Sequence, residues 1–176
     1  MHLVTWNINS IRARLGQLGQ WLDHNRPDIL CLQELKCQAE QFPHELFEDA
    51  NYNIILKGQK SYNGVAIASR FPMDLIDDQL AGDDEDEQAR FLDVVVAAPK
   101  PFRLVNIYAP NGNPAPGDKF AYKLAWNKRL HAITREILSE EGDAISTGDF
   151  NIIPDDHDVH NPEHWVEDAL FRPESR

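Results

Sequence analysis

The segment AISTGDFNIIP, residues 144–154, decides the fold assignment and is the most specific short signal in the chain. It begins as an apolar strand and ends with Asp149 and Asn151 on either side of Phe150. Strand alternation predicts that Asp149 and Asn151 point the same way and that Phe150 faces the core. The preceding Gly148 permits close approach of a neighbouring backbone. The Asp–Asn pair is either a plain turn former or a catalytic pair, in which Asp149 accepts a proton from water and Asn151 donates to a phosphate.

Three further apolar runs also end in a polar side chain: LVTWN in Asn7, ILCLQE in Glu34 and LVNIY in Tyr108. Adjacent strands of a sheet bring such ends together, and a cluster of carboxylates, amides and a phenol suits metal-assisted phosphodiester hydrolysis. Magnesium often takes only one or two carboxylates together with substrate oxygens. Each residue also has a simpler explanation: a polar strand end for Glu34, a backbone-bonding amide for Asn7 and half-buried packing for Tyr108.

Composition is that of one globular domain, 1–176, with 42% hydrophobic and 26% charged residues. No apolar run is long enough to cross a bilayer, and the N-terminus has no signal-peptide pattern, so we expect no membrane association. The net charge of −12 argues against a bulk nucleic-acid binder. It leaves room for an enzyme that touches DNA through a local basic patch. The acidic run at residues 82–87 is typical of a solvated loop.

The two cysteines, Cys31 and Cys37, are too few for a disulfide framework or a zinc site. Cys31 lies in an apolar strand and is expected to be a small buried hydrophobe, and Cys37 a reduced loop residue. Both fit a reducing compartment, so we expect the protein to be cytoplasmic.

Periodicity predicts an α+β fold in which two hairpins combine with packing helices. The first hairpin pairs residues 52–57 with 64–69, and the second pairs 90–98 with 102–108. The other predicted strands are 2–8, 28–33 and 143–148; the predicted helices are one built on Ile11, Leu15, Leu18 and Leu22, a short one within 38–50, and a long one at 119–139. The expected core face of the long helix is Phe120, Leu124, Asn127, Leu130, Ile133 and Ile137.

The ordered segments TWNINSIRARL (5–15), CLQELK (31–36), GQKSYNGVAI (58–67), NIYAPNGNP (106–114), DKFAYKLAW (118–126) and STGDFNIIP (146–154) resemble the exonuclease III family. These are bacterial abasic-site endonucleases of the endonuclease/exonuclease/phosphatase superfamily, and the likeness runs from Met1 to Arg176. It implies a deoxyribonuclease I-like, four-layer α/β/β/α sandwich of two mostly antiparallel sheets. It also implies magnesium or manganese as cofactor.

The resemblance also assigns roles to individual residues. Glu34 corresponds to the carboxylate metal ligand, with Asn7, Asp149 and Asn151 close to the ion. Asp149 resembles the acceptor of the proton from the attacking water. Asn151 resembles the amide that orients that water or stabilises the pentacovalent transition state. Tyr108 resembles the phenol that hydrogen-bonds or charge-stabilises the phosphate. The residues at the positions of the family's DNA contacts are Arg90, Asn111 and Lys119, for which a solvated surface role is the alternative.

The implied activity is a magnesium-dependent DNA-repair phosphodiesterase. It would cut on the 5′ side of an abasic site and remove nucleotides 3′ to 5′ from duplex ends. The implied partner is double-stranded DNA with abasic sites or 3′ ends, and a monomer is expected. An abasic sugar is easily reached because no base pair has to be broken.

The sequence departs from the family pattern by containing no Ser-Asp-His of the kind found in the family's C-terminal third. We therefore expect the second sheet to be incomplete, the 176-residue chain to have little or no activity, and its stability to be marginal. The seven histidines are expected to be surface residues. Two alternatives stay open: a catalytically silent fragment with weak metal or DNA binding, and a superfamily phosphodiesterase acting on a non-DNA substrate.

Overall fold

The computed structural model describes residues 1–176 as an α+β chain of eight strands and three α-helices. The strands are β1 (Leu3–Asn7), β2 (Ile29–Gln33), β3 (Asn53–Lys57), β4 (Val65–Ser69), β5 (Met73–Asp77), β6 (Phe91–Val96), β7 (Phe102–Tyr108) and β8 (Ala144–Asp149). The helices are α1 (Leu15–Asn25), α2 (His44–Glu48) and α3 (Asp118–Ser139). None of the helices combines the length and apolarity that a membrane span requires.

The strands form two four-stranded sheets. Sheet 1 has the order β1-β2-β4-β3, and sheet 2 has the order β5-β6-β7-β8. Most neighbours are antiparallel, but β1 runs parallel to β2 and β7 runs parallel to β8. Parallel neighbours end at the same edge of a sheet. The C-terminal ends of β1 and β2, and those of β7 and β8, are therefore brought together in pairs.

The chain divides into two compact units. The first comprises residues 1–108 and 138–149 and contains both sheets; the second comprises residues 109–137 and 150–176. In the first unit, a buried cluster joins Ile29, Ile67 and other residues of sheet 1 to Leu92, Leu104 and other residues of sheet 2, so the two sheets pack face to face. The opposite face of sheet 1 is covered by α1 and α2, through residues that include Leu18, Leu22 and Phe47. Strands β2 and β4 are buried along their whole length, as continuous apolar runs predict.

Both predicted hairpins are confirmed, since β3 pairs with β4 and β6 with β7 in antiparallel register. The structure adds β5, which the sequence analysis did not assign. Its residues are mostly exposed. The segment MDLID does not alternate regularly between apolar and polar residues, which is the pattern by which a half-buried strand is recognised in a sequence. The first helix begins later than its pattern implies, because a short 3₁₀ turn occupies Arg12–Arg14 and leaves Leu15 42% exposed.

The predicted core face of α3 is confirmed only at Phe120, which is buried, whereas Leu124 and the four other predicted positions are only partly buried. The other buried residues of the helix are Lys123 and Trp126. A periodicity argument counts lysine as polar and therefore shifts the apolar face by one residue. The predicted orientation of Phe150 toward the core is wrong. Strand β8 ends at Asp149, so strand alternation does not continue, and Phe150 is 42% exposed.

The two cysteines are free and buried. Burial raises the pKa of the Cys31 thiol to about 12, so the thiol stays neutral and behaves as a small apolar side chain. All seven histidines are exposed, as expected from the sequence.

Candidate active site

The first unit brings four of the predicted site residues together at the ends of β1, β2, β7 and β8. The side-chain nitrogen of Asn7 donates to Glu34 Oε1 at 2.9 Å and to Asp149 Oδ2 at 2.7 Å. The Tyr108 hydroxyl donates to the same Glu34 oxygen at 2.9 Å. Asn7 and Asp149 are 142 residues apart in sequence. The cluster consists of two carboxylates, one amide that bridges them and one phenol.

Left-handed backbone conformations shape the segment around Glu34. Glu34 has a φ of 56°, Lys36 of 53°, Asn9 of 45° and Ser10 of 81°. Backbone hydrogen bonds still continue past the strand ends, from Ser10 N to Glu34 O and from Lys36 N to Asn63 O. Each such conformation costs about 1–3 kcal/mol in a residue other than glycine, and such residues cluster at functional sites. Here they turn the chain at the point where the Glu34 side chain reaches the cluster.

Asp149 is placed by an unusually close approach of β8 to β7. Gly148 has a φ of 136°, and a Cβ atom there would lie 2.0 Å from the carbonyl oxygen of Ile107. In the register of the two parallel strands, Asp149 lies beside Tyr108. Only glycine allows this combination of conformation and contact, so Gly148 sets the Asp149 carboxylate beside the phenol.

The Glu34 carboxylate is held in its ionised form. Lys36 Nζ lies 2.8 Å from Glu34 Oε2 and also donates to Asn9 Oδ1 at 2.5 Å. Burial raises the pKa of Glu34, but hydrogen bonds from Asn7, Lys36 and Tyr108 and the charge of Lys36 together bring it below the usual value. The site therefore keeps a negatively charged carboxylate at neutral pH.

Tyr108 is a hydrogen-bond donor rather than a phenolate. Burial, followed by the hydrogen bond to Glu34 and that residue's charge, raises the pKa of Tyr108 well above its usual range. Arg90 opposes this shift only weakly, with its guanidinium carbon 4.7 Å from the centre of the Tyr108 ring. The Arg90 guanidinium also donates to Tyr108 O at 3.1 Å and to Gln88 Oε1 at 2.8 Å. Arg90 therefore braces Tyr108, and its predicted DNA contact stays a prediction.

The second unit brings together two other predicted residues. Asn151 has a φ of 48° and donates from its side-chain nitrogen to Ala109 O at 2.8 Å. The Asn111 side-chain nitrogen lies 3.5 Å from Asn151 Oδ1, a long contact. Lys123 Nζ donates to the backbone oxygens of both asparagines. Lys119 is exposed in the first turn of α3, where a solvated role fits it as well as a DNA contact.

The donor set of the first unit fits a hard divalent cation. Glu34 and Asp149 both offer carboxylate oxygens, and one amide nitrogen joins the two carboxylates. Magnesium commonly binds through one or two carboxylates and completes its octahedron with water and phosphate oxygens. The structure contains no group of three or more His, Cys, Asp or Glu side chains that could together bind a metal ion. The Asn7 side-chain oxygen accepts from Asn9 N at 3.1 Å, so Asn7 contributes here through its nitrogen.

Three residues that the sequence analysis did not select belong to these clusters. Lys36 is the ion-pair partner of Glu34, and Lys123 binds the segments that carry Asn111 and Asn151. Gln88 orients Arg90. Lys123 had one recognisable signal, since it lies three residues from both Phe120 and Trp126 on the face that is buried.

The sequence of this chain is similar to the sequences of known nucleases. The profile of the Endonuclease/Exonuclease/phosphatase family matches residues 4–169, and the chain belongs to that family. Exodeoxyribonuclease III of Haemophilus influenzae is 32% identical over 190 aligned residues, which cover 100% of this chain and 69% of that protein.

Two solved structures share the fold over the whole chain. An AP endonuclease from Archaeoglobus fulgidus has a TM-score of 0.92 at 34% identity, and 67% of it is covered. The 3′-5′ exonuclease NExo from Neisseria meningitidis has a TM-score of 0.93 at 37% identity, and 68% of it is covered. The α+β, deoxyribonuclease I-like fold implied by the sequence motifs is therefore confirmed.

Proposed function

We propose that this chain carries the active site of a DNA-repair nuclease that hydrolyses phosphodiester bonds with a divalent metal ion, magnesium or manganese. The substrate is double-stranded DNA, cut on the 5′ side of an abasic site or degraded from its 3′ ends. One observation carries the proposal: Asn7, Glu34, Tyr108 and Asp149 form a single hydrogen-bonded cluster at the strand ends. The names of the relatives, an exodeoxyribonuclease and an AP endonuclease, support this class of substrate.

Each side chain of the cluster has a step to which its chemistry is suited. Glu34, ionised because of its lowered pKa, would supply an oxygen ligand to a divalent metal ion. When bound, such an ion stabilises negative charge on the phosphate and on the departing 3′ oxygen. Asp149 accepts a proton from water, and the hydroxide oxygen bonds to phosphorus as the bond to the 3′ oxygen breaks. The departing 3′ oxygen takes a proton from solvent and becomes the 3′-hydroxyl. The Asn7 amide orients the Asp149 carboxylate for this transfer.

The remaining residues bind and orient the phosphate. Tyr108 stays protonated and donates its hydrogen bond to Glu34 or, with substrate present, to a phosphate oxygen. Asn151 supplies an amide to the attacking water or to the pentacovalent phosphate. The proposed DNA contacts are Arg90, Asn111 and Lys119, and the acting species is a monomer.

The test is a single-turnover assay with protein in excess over a short duplex that carries one abasic site. We expect a slow magnesium-dependent nick on the 5′ side of the lesion that leaves a 3′-hydroxyl and stops when chelator is added. Asp149→Asn keeps the shape and removes the proton acceptor, so the nick should fall by at least ~10²-fold.

The matched control is Asp156→Asn, an exposed acid of the polar C-terminal segment, which should leave the rate unchanged. A nick that survives Asp149→Asn, or a nick that forms without added metal ion, would contradict the proposal. Hydrolysis of a non-DNA phosphodiester in place of the duplex would reassign the substrate.

A further inference from the structure

Lysine 123 is fully buried at 0% exposure in the first half of α3. Lysines are almost never buried to this extent unless their ammonium group is paired. Here Nζ donates to the backbone oxygen of Asn111 at 3.1 Å and to that of Asn151 at 2.5 Å. The side chain thus ties α3 to two segments that are 40 residues apart in sequence.

The segment at Gly112 is shaped around this lysine. Gly112 has a φ of 89°, and a Cβ atom there would lie 2.6 Å from Lys123 Cδ and 3.2 Å from its Cβ. The backbone after Asn111 therefore closes directly over the aliphatic stem of Lys123, and glycine is required for both the conformation and the space. The backbone at Gly112 therefore packs tightly against the Lys123 side chain.

The two backbone oxygens belong to residues whose amides are proposed to act on the substrate. The Asn151 side chain donates to Ala109 O, so its orientation depends on the same 109–112 segment that Lys123 holds. We infer that Lys123 is a positioning residue that fixes the backbone of both segments and thereby the aim of the Asn111 and Asn151 amides. Its catalytic consequence rests on the proposed function, whereas its effect on the two segments does not.

Only a long side chain with several donors can perform this task. An ammonium group has three N–H donors and no acceptor, so it satisfies two carbonyl oxygens at once. Methionine has similar length but donates nothing, and it would leave both oxygens without that donor. Lys123→Met therefore removes the proposed interaction with little change in volume.

The experiment compares Lys123→Met with Lys128→Met, which replaces an exposed lysine of the same helix. Amide hydrogen exchange is followed in residues 109–113 and 150–153, and in the central strands β2 and β7. We expect exchange to rise by about tenfold or more in both loop segments of Lys123→Met and to stay unchanged in the strands. Lys128→Met should match the unsubstituted chain throughout.

Kinetics give the second readout, in the abasic-duplex assay described above. A misaimed amide slows the chemical step more than it weakens binding, so we expect the single-turnover rate at saturating protein to fall by ~10-fold or more. The affinity for DNA should stay close to that of the unsubstituted chain. Loss of affinity with an unchanged saturating rate would overturn the positioning role.

Further outcomes separate positioning from general stability. If Lys123→Met does not fold, Gly112→Ala provides the second variant, because it presses on the lysine stem from the loop side. Exchange that rises equally in β2 and β7, or loop exchange no faster than in Lys128→Met, would overturn the inference. If the nick made by the unsubstituted chain forms without added metal ion, the proposed function fails, while the exchange readout still decides the role of Lys123.

Discussion

At the scale of single residues, the candidate site depends on hydrogen-bond donors placed around two carboxylates. Asn7 bridges Glu34 and Asp149, Lys36 pairs with Glu34, and Tyr108 donates to the same carboxylate. Each donor stabilises the charged form of Glu34, which is why its pKa is lowered although burial opposes this. The arrangement keeps negative charge on Glu34, as the proposed role of this carboxylate in metal binding requires.

Tyr108→Phe tests this electrostatic coupling. Because the folded-state pKa of Glu34 lies below its unfolded value, Glu34 stabilises the protein above the unfolded pKa, and this contribution is lost as pH falls through the folded pKa. Removing the hydroxyl should raise the pKa of Glu34 and lower the free energy of unfolding at pH 7 by about 1 kcal/mol. Urea unfolding measured at pH 7 and at successively more acidic values should show the difference shrinking as Glu34 becomes protonated.

Tyr62→Phe is the control, because Tyr62 is 70% exposed and should tolerate the loss of its hydroxyl at every pH. A difference between Tyr108→Phe and the unsubstituted chain that does not vary with pH would show that Glu34 is not the coupled group.

At the scale of elements, parallel pairing positions the cluster. Strands β1 and β2 end together, as do β7 and β8, and the register places Asn7 beside Gln33 and Tyr108 beside Asp149. A buried amide network supports these ends from within the first unit: Gln33 donates to Asn106 at 2.7 Å, and Asn106 donates to the backbone of β2 and β4. Buried polar groups that are all paired specify one register, because any slip would leave them unpaired.

Gly148→Ala tests how far the site depends on the β7–β8 contact. The added Cβ would collide with Ile107 O, and alanine is strained at a φ of 136°. We expect a loss of about 3 kcal/mol or more in the free energy of unfolding, measured by urea denaturation. Gly16→Ala is the matched control, because it meets no atom within 4 Å and lies in α1. It should be neutral or stabilising by up to about 1 kcal/mol, and equal losses in the two variants would refute the argument.

At the scale of the whole molecule, the net charge of −12 opposes binding to DNA. Part of this charge is the run of five acids at residues 83–87, a folded loop in which Gln79 donates to the backbone oxygens of Asp83, Asp84 and Asp86. This acidic loop is exposed along most of its length, as predicted. It also leads directly into the Gln88–Arg90 pair beside Tyr108.

Neutralising the acidic loop should strengthen DNA binding. Conversion of its five acids to amides changes the net charge from −12 to −7, since −12 + 5 = −7. We expect the affinity for duplex DNA to rise several-fold at low salt, and the gain to decrease as ionic strength increases, because exposed charges are screened. Fluorescence anisotropy across a salt series measures this effect.

The control carries the same net charge but a different distribution. It neutralises five exposed acids of the α1–α2 region: Asp23, Glu40, Glu45, Glu48 and Asp49. A smaller gain is expected there. An equal gain would assign the effect to net charge alone, and no gain in the loop variant would contradict the prediction.

Local sequence patterns were sufficient to predict many of the secondary-structure elements of this protein. Turn residues and local periodicity predicted both hairpins, the long helix and the strand ends at Asn7, Glu34, Tyr108 and Asp149, because such patterns depend on neighbours only a few residues away. The order of the motifs along the chain was not needed for these local assignments, but it was needed to connect them with one family fold.

The tertiary structure alone decided which of these residues meet and how. A single amide joins carboxylates at the ends of strands in different sheets, because parallel pairing and sheet packing, not sequence spacing, set those distances. The tertiary structure also buries Lys123 and exposes Phe150, whereas the local sequence pattern predicted neither. Burial of a polar side chain depends on which carbonyl groups the fold brings to it, and no periodicity within one helix contains that information.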